Sequence, residues 1–198
     1  MLQPLPARAV HTSMKRNARP SLFDVAAFDD PLEMLLACHR RIEKQLETLK
    51  RLRTHLARNG VDPEASAAAQ SVLRYFGKSA ADHHHDEEQD VFPLLEERMG
   101  TSGDAVRFRA MRACLEADHR ELEGAWHRLK KPLEGVAEGL MRTLPDTDVR
   151  AFASAYANHI LAEEMALTEF FRRWLDDRDR EALGRAMAAR RGVPYPPG

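Results

Sequence analysis

The chain has 198 residues, of which 43% are hydrophobic and 31% are charged, and its formal net charge is −1. This length and balance predict one soluble domain with a filled core. The scattered Lys and Arg residues give no reason to expect a nucleic-acid partner. No stretch reaches the roughly 20 apolar residues of a membrane span, and residues 1–19 lack the apolar segment of a signal peptide. No membrane association is expected, and the expected location is the cytoplasm.

The first predicted elements are an N-terminal arm and a helix. Residues 1–30 mix prolines and basic residues without a sustained hydrophobic period, which is typical of an arm. Asp30 before Pro31 is a helix-capping pattern. Apolar residues then recur at helical spacing up to a stop signal at Gly60. This predicts a first helix over residues 31–58.

The second and third predicted helices are long. The second begins at Pro63 and ends near Gly100, and Pro93 within it predicts a kink at residues 89–92. The third runs over residues 104–130, where Pro132 is expected to stop it.

The last third of the chain predicts a looser connection, a helix and a tail. Residues 133–145 contain two glycines and a proline, which favour a connection. A fourth helical stripe follows and reaches about Asp177. Residues 178–198 form a C-terminal tail with room for a short helix before Pro194.

No strand pattern or internal repeat competes with these helices. Four long helices joined by short loops predict an all-α fold, an up-down-up-down four-helix bundle over residues 31–177. The N-terminal arm and a short C-terminal extension flank this bundle. The two cysteines, Cys38 and Cys114, are too few for a disulfide framework, so both are expected to be buried thiols in a reducing compartment.

Each predicted helix carries one histidine in the middle of its apolar stripe, namely His39, His83, His119 and His159. A single buried histidine is usually satisfied by an ordinary hydrogen bond. Four imidazoles and two carboxylates at the middle of one bundle are costly to desolvate unless they bind something, and cations supply the compensating charge. The pattern therefore predicts a metal site.

Two of these histidines have a carboxylate four residues later, in the pairs His83 with Glu87 and His159 with Glu163. Four residues turn a helix by about 400° and raise it by about 6 Å, so both side chains leave the same face and can bind one ion. Two pairs predict two ions. Imidazole and carboxylate ligands without a thiolate favour iron, with manganese or zinc as less favoured alternatives.

These residues resemble the hemerythrin-like (HHE) domains, four-helix bundles that hold a non-haem di-iron centre. The resemblance rests on His83, Glu87 and the segment that ends in Phe92-Pro93, with His39 upstream and His119, His159 and Glu163 downstream. It implies that His39, His83, His119 and His159 are terminal ligands. It also implies that Glu87 and Glu163 bridge two iron ions about 3.5–4 Å apart.

Alternative ligands stay open on the second and fourth helices. Glu164 lies five residues after His159, where oxygen-carrying hemerythrins have an aspartate, so either Glu163 or Glu164 could ligate. His84 and Glu88 form another four-residue pair. A helix cannot aim three consecutive histidines at one point, which favours His84 and its neighbour His85 at the rim of the site.

The third helix departs from the oxygen-carrier pattern. Those carriers have a second histidine four residues after His119, where this chain has Glu123. Glu123 is either an extra carboxylate ligand, which would argue against reversible oxygen carriage, or a solvated charge. A ferritin-like centre needs repeated Glu-x-x-His pairs, and only Glu116 with His119 has that spacing. Glu116 and Asp118 are instead expected to orient the His119 ring.

These features predict a cytoplasmic non-haem di-iron protein of hemerythrin-like type, which binds or senses O2, NO or peroxide, or holds iron. Its expected partner is a small diatomic ligand or peroxide, with a protein partner or self-association also compatible. The alternative is a regulatory or interaction module with a structural metal site, in which the arm or the proline-rich tail docks a partner. Turnover of a substrate stays open.

Overall fold

The computed structural model describes residues 28–195, so most of the predicted arm lies outside the described residues. Within them the structure has helices and no strand, which confirms the all-α prediction. The elements in chain order are α1 (Pro31–Asn59), α2 (Pro63–Arg74), the π-helix π1 (Tyr75–Ser79), α3 (Ala80–His85), the π-helix π2 (Asp86–Val91), α4 (Phe92–Met99), α5 (Gly103–Ala137), α6 (Asp146–Trp174) and α7 (Asp177–Arg190). In this part of the chain, none of the helices has the length and apolar character needed to cross a membrane.

Side-chain capping fixes the start of α1, as the sequence predicts. The Asp30 carboxylate accepts a hydrogen bond from the backbone N–H of Glu33 at 3.0 Å, and Pro31 occupies the first turn. Gly60 ends the helix with φ 74°, a left-handed conformation that glycine adopts without a Cβ clash. The predicted bounds of 31–58 are confirmed to within one residue.

Residues 63–99 form one continuous helical run that two π-helical segments interrupt. Asp62 caps its start by accepting from the backbone N–H of Ala65 at 2.8 Å. Where Pro93 predicts a kink, the backbone forms π2, whose hydrogen bonds reach five residues along the chain instead of four. Such π-helical turns occur frequently at functional sites.

The prediction that Pro132 stops the third helix is wrong, because α5 continues to Ala137 with Pro132 inside it. Proline removes one backbone hydrogen bond. Leu133 and Val136 extend the buried face beyond it, and both are fully buried, so their burial offsets that loss. The connection is therefore shorter than the predicted 133–145. The predicted short helix in the tail is confirmed as α7.

The helices pack around two apolar clusters. α1 contacts α2 and α6, α5 contacts the same two helices, and α7 packs against α1 and π2. The first cluster includes Phe76, Trp126 and Phe152. The second includes Phe92 and Phe108 together with apolar residues of α7. In α1, in the run of residues 63–99, in α5 and in α6, the central histidine or glutamate separates members of one cluster from members of the other, so a polar layer divides the core.

The two cysteines lie in different environments. Cys38 is buried next to His39 in the sequence, as expected, whereas Cys114 is exposed. The prediction that both thiols are buried is wrong for Cys114. Its neighbour Leu115 takes the inward position on α5, and consecutive helical residues point about 100° apart.

Candidate metal centre

The polar layer contains all six residues predicted as ligands. His39 comes from α1, His83 from α3, Glu87 from π2, His119 from α5, and His159 and Glu163 from α6. Each exposes 4% of its surface or less. Buried histidines and carboxylates on four separate helical runs therefore meet at one level of the fold.

Glu87 faces imidazoles from two helices. Its Oε1 lies 3.2 Å from His83 Nε2, and its Oε2 lies 3.2 Å from His119 Nε2. The His83 contact spans four residues of one helical run, as the spacing predicts. The His119 contact crosses to α5.

Glu163 makes the equivalent contacts with the other two imidazoles, those of His159 and His39. Its Oε2 lies 3.3 Å from His159 Nε2 on the same helix and 3.3 Å from His39 Nε2 on α1. Both carboxylates thus sit between two imidazoles whose Nε2 atoms point inward. This is the placement expected of carboxylates that bridge two cations, although their role as ligands stays a prediction.

The inward-facing atoms have no hydrogen bonds within residues 28–195. The buried atoms that lack a partner include the Nε2 atoms of His39, His83, His119 and His159, both carboxylate oxygens of Glu87 and Oε2 of Glu163. Buried polar groups normally find partners, and an unpaired buried carboxylate is costly. Imidazole nitrogen and carboxylate oxygen are ligands that iron, manganese and zinc accept. The donor set therefore fits one or more metal cations.

The potential ligand atoms fall into two groups. One group is His39, His83, Glu87 and Glu163, and the other is His84, His119 and His159. Within each group, one ligand atom per residue lies within 4.8 Å of the others. Two groups in one layer are compatible with more than one ion.

The electrostatics of the layer also favour a cation. Burial, together with the charge of Glu163, raises the pKa of Glu87 well above its usual value. Burial and the neighbouring His39 lower the pKa of His83 far below the usual range of histidine. Burial also raises the pKa of Glu163, but the imidazoles of His159 and His39 outweigh this effect and hold that pKa well below its usual value. A neutral His83 keeps a lone pair for a metal, and a cation would stabilise the Glu87 carboxylate.

Three further carboxylates, which we call the outer carboxylates, face the Nδ1 atoms of the rings. Glu88 Oε1 lies 2.6 Å from His119 Nδ1, Glu164 Oε1 lies 2.9 Å from His39 Nδ1, and Asp118 Oδ2 lies 3.5 Å from His159 Nδ1. A carboxylate at Nδ1 places the ring proton there and leaves the Nε2 lone pair for a metal. His39 and His119 have this hydrogen-bonded support, whereas Asp118 lies near His159 Nδ1 without forming a hydrogen bond.

The prediction that Glu116 and Asp118 orient the His119 ring is wrong. Glu116 binds Arg112 at 2.7 Å, and Asp118 faces His159. Asp118 directly precedes His119 on α5 and so points about 100° away from it, towards α6.

The structure also shows where Glu123 and Glu164, the two alternative carboxylate ligands, lie. Glu123 is exposed and belongs to neither group of potential ligand atoms, which favours the solvated charge. Glu164 has a side chain that is 42% exposed and acts on His39 from outside. Glu163 is the buried member of the pair.

The expectation that His84 lies at the rim is only partly right. The residue is half-buried, but its Nε2 is buried and lacks a hydrogen-bond partner among the described residues. It belongs to the group with His119 and His159. The run of three consecutive histidines, residues 83–85, is the sequence signal that could indicate a further inward-facing imidazole. His85 is the exposed one of the three.

Comparison with known proteins agrees with this geometry. The family model of the hemerythrin HHE cation-binding domain matches residues 30–171. A protein of Haemophilus influenzae, described as an uncharacterized protein, is 30% identical over 168 residues, which cover 85% of this chain and 94% of that protein. The chain belongs to the hemerythrin HHE cation-binding domain family.

Proposed function

We propose that this protein binds two iron ions in the polar layer, with His39, His83, His119 and His159 as terminal ligands and Glu87 and Glu163 as bridges. The observation that carries the proposal is the set of inward-facing Nε2 and carboxylate atoms that are buried without hydrogen bonds. Each carboxylate lies 3.2–3.3 Å from imidazoles of two different helical runs. The position of each carboxylate between two imidazoles supports two ions that share both carboxylates.

The types of donor atom support iron over a structural zinc site. Structural zinc sites are commonly four-coordinate and closed by cysteine and histidine. Neither Cys38 nor Cys114 belongs to either group of potential ligand atoms in the described chain. A set made only of imidazole and carboxylate donors suits iron.

The physiological ligand in this proposal is O2, NO or peroxide, or else the iron itself is held for storage. Iron would supply the redox chemistry and the attachment point for such a ligand. All six predicted ligands expose 4% of their surface or less, so only a small molecule could reach the site without opening the helices. Glu87, Glu163 and the outer carboxylates make the surroundings anionic, which favours the ferric state.

The proposal includes the arrangement of the helices and the cellular location. We propose that α1, the run of residues 63–99, α5 and α6 form an up-down-up-down four-helix bundle. Contacts of α1 with α2 and α6, and of α5 with the same two helices, support a closed ring of neighbours joined by short connections. The free thiols of Cys38 and Cys114 support a reducing compartment such as the cytoplasm.

Metal content and redox response test the function together. The protein would be purified without a metal-chelating tag, its metal content measured per chain, and its visible spectrum recorded after anaerobic reduction and again after exposure to air or NO. We expect about two irons per chain and a charge-transfer band that responds to the gas. His83→Ala should lose both, and His85→Ala, at the exposed neighbouring position, should keep both.

Three outcomes would be decisive. Two irons with a gas-sensitive band would support a di-iron centre that binds small ligands. Two irons with no response to O2, NO or peroxide would favour storage of iron. One zinc without a spectral response would overturn the redox function and favour an interaction module with a structural metal, whose protein partner or self-association would then be sought.

A further inference from the structure

His84 is the potential metal-binding residue that the six predicted ligands leave out. It follows His83 directly on α3, and the π-helices π1 and π2 flank that short helix on both sides. Its Nε2 is buried and has no hydrogen-bond partner in the described part of the chain. A buried imidazole nitrogen that faces other imidazoles is the arrangement that a shared cation would stabilise.

The His84 ring lies among histidines of two other helices. Its centroid is 4.0 Å from that of His119, with the two rings 10° from parallel, and 5.9 Å from that of His159. One nitrogen of His84, one of His119 and one of His159 all lie within 4.8 Å of one another. Three imidazoles from α3, α5 and α6 therefore lie together on one side of the polar layer. Because an imidazole lone pair lies in the plane of its ring, the stacked rings of His84 and His119 must turn relative to each other for both to bind one ion.

Helix geometry explains how two consecutive histidines can both serve the centre. Neighbouring side chains on an α-helix point about 100° apart, so His83 and His84 cannot reach the same point. His83 turns towards α1, with its ring centroid 4.9 Å from that of His39, whereas His84 turns towards His119. Two ions need two points, and each histidine faces a different group of potential ligand atoms.

We propose that His84 is an additional metal ligand, which completes a three-imidazole set with His119 and His159 for one ion, while His39 and His83 serve the other. This inference rests on the proposed function, because it assigns ligands to the two ions of that centre. Glu87 and Glu163 remain shared between the ions. The two ions then have unequal sets of protein donors, so they should bind with unequal affinity and load in sequence.

The competing explanation is that His84 packs on His119 and binds nothing. The two roles separate in His84→Phe, which keeps an aromatic ring for stacking and removes both nitrogens. His84→Ala removes the ring and the nitrogens together. His85→Phe makes the matched change at the exposed neighbour.

The experiment is anaerobic equilibrium dialysis of the metal-free protein against increasing free Fe2+, with bound iron measured per chain and thermal melts recorded for every variant. We expect the wild type and His85→Phe to bind two Fe2+. His84→Phe and His84→Ala should keep one Fe2+ and lose more than about 100-fold in affinity for the other, which exceeds the loss expected from residues that only support a ligand.

A second measurement needs no variant. In the Co2+-loaded wild type with 15N-labelled histidine, rings that only lie near the ion give small pseudocontact shifts, whereas ligating nitrogens give signals with large contact shifts. We expect such signals from His84 as well as from His39, His83, His119 and His159. Signals from the other four without His84 would overturn the assignment even if the variants failed to fold.

The remaining outcomes separate the two proposals. Two Fe2+ bound with wild-type affinity by His84→Phe would show that His84 only stacks, and would leave the di-iron function intact. Loss of both ions by a folded His84→Phe would overturn the division of ligands between two ions. A wild type that binds no Fe2+ would overturn the proposed function itself.

Discussion

Two buried acidic sites lie side by side in the helical run of residues 63–99. Asp86 and Glu87 are consecutive, and both are fully buried. Asp86 accepts hydrogen bonds from Arg191 at 2.5 and 3.1 Å and from Arg190 at 2.5 Å, so α7 surrounds it with cationic side chains. The Glu87 oxygens lie 3.2 Å from imidazole nitrogens of His83 and His119, and both lack a hydrogen-bond partner among residues 28–195.

This difference distinguishes a structural ion pair from a binding site. Burial raises the pKa of Asp86, although Arg191 and Arg190 act in the opposite direction. Burial and the charge of Glu163 raise the pKa of Glu87 well above its usual value. The chain thus surrounds one carboxylate with permanent cations, whereas a bound cation would stabilise the negative charge of the other. Stability should depend on Asp86 whether or not metal is bound, and metal binding should depend on Glu87.

The largest expected effect is on metal binding by Glu87→Gln. The amide keeps the size of the side chain but removes the negative charge that would bridge two ions. Iron content should fall from about two per chain to less than one, with a loss of more than about 100-fold in affinity. The metal-free variant should be at least as stable as the wild type, because a buried unpaired carboxylate has been removed. Iron analysis and urea unfolding of the metal-free protein would test both points.

The control for this variant is Glu97→Gln, an exposed glutamate later in the same helical run. It should bind iron like the wild type. Normal iron binding by Glu87→Gln would contradict the bridging role.

Asp86→Asn should have the next largest effect, and it should act on stability. The change leaves Arg190 and the nearly buried Arg191 without the carboxylate that they contact. Breaking one side of a buried ion pair typically costs about 3–5 kcal/mol. The loss in the free energy of unfolding should be similar for metal-free and iron-loaded protein. Urea titrations of both forms would measure it.

Asp90→Asn is the matched control for Asp86→Asn. Asp90 contacts Arg190 at 2.7 Å one turn later, but its side chain is 22% exposed. Its loss should cost less than about 1 kcal/mol, as for pairs that water reaches. A loss for Asp86→Asn that occurs only in the iron-loaded protein would mean that Asp86 supports the metal centre and not the fold.

The outer carboxylates should give a smaller and more specific effect. Glu88→Gln weakens the partner of His119 Nδ1, which lies 2.6 Å away, and leaves every predicted ligand in place. Iron affinity should fall by about 10–100-fold, the range for groups that orient a metal ligand. Glu123→Gln, at an exposed position on α5, should have no effect. Equal iron affinity in both variants, measured by competition with a chelator, would exclude an orienting role for Glu88.

Local sequence signals predicted the helices and the faces that meet at the centre. Asp30 and Asp62 cap helices because a carboxylate and an N–H three residues later are close along the chain. The four-residue spacing put Glu87 beside His83 for the same reason. The error at Pro132 arose because a local helix breaker was outweighed by tertiary burial that the sequence does not display.

The features that sequence reasoning missed all depend on contacts between distant helices. Glu164 reaches His39 across 125 residues, and Glu88 reaches His119 across 31. No periodicity within one helix encodes which carboxylate will face which Nδ1 atom. The inward turn of His84 was not predictable from a single focal point for the three consecutive histidines, because the layer has two groups of potential ligand atoms.

The smallest predicted effect concerns the other end of α7. Arg98 binds Asp179 through Nε and Nη2 at 2.7–3.1 Å, and this contact holds the pKa of Asp179 below its usual value. A carboxyl with a lowered pKa in the folded state stabilises the protein above its unfolded pKa of about 3.9. That stabilisation is lost as the pH falls through the folded pKa.

Asp179→Asn should therefore lower the Tm at pH 7 by about 2–4 °C, and the difference from the wild type should narrow below about pH 4. Asp177→Asn, at an exposed position two residues earlier, should leave the Tm unchanged at each pH. Thermal melts between pH 7 and pH 3 would test the sign. A difference that stays constant with pH would mean that Asp179 acts through its helix-capping hydrogen bonds with Asp176, which an asparagine can partly keep, and not through its charge. In that case the arginines around Asp86 would be the charged contacts on which the attachment of α7 depends.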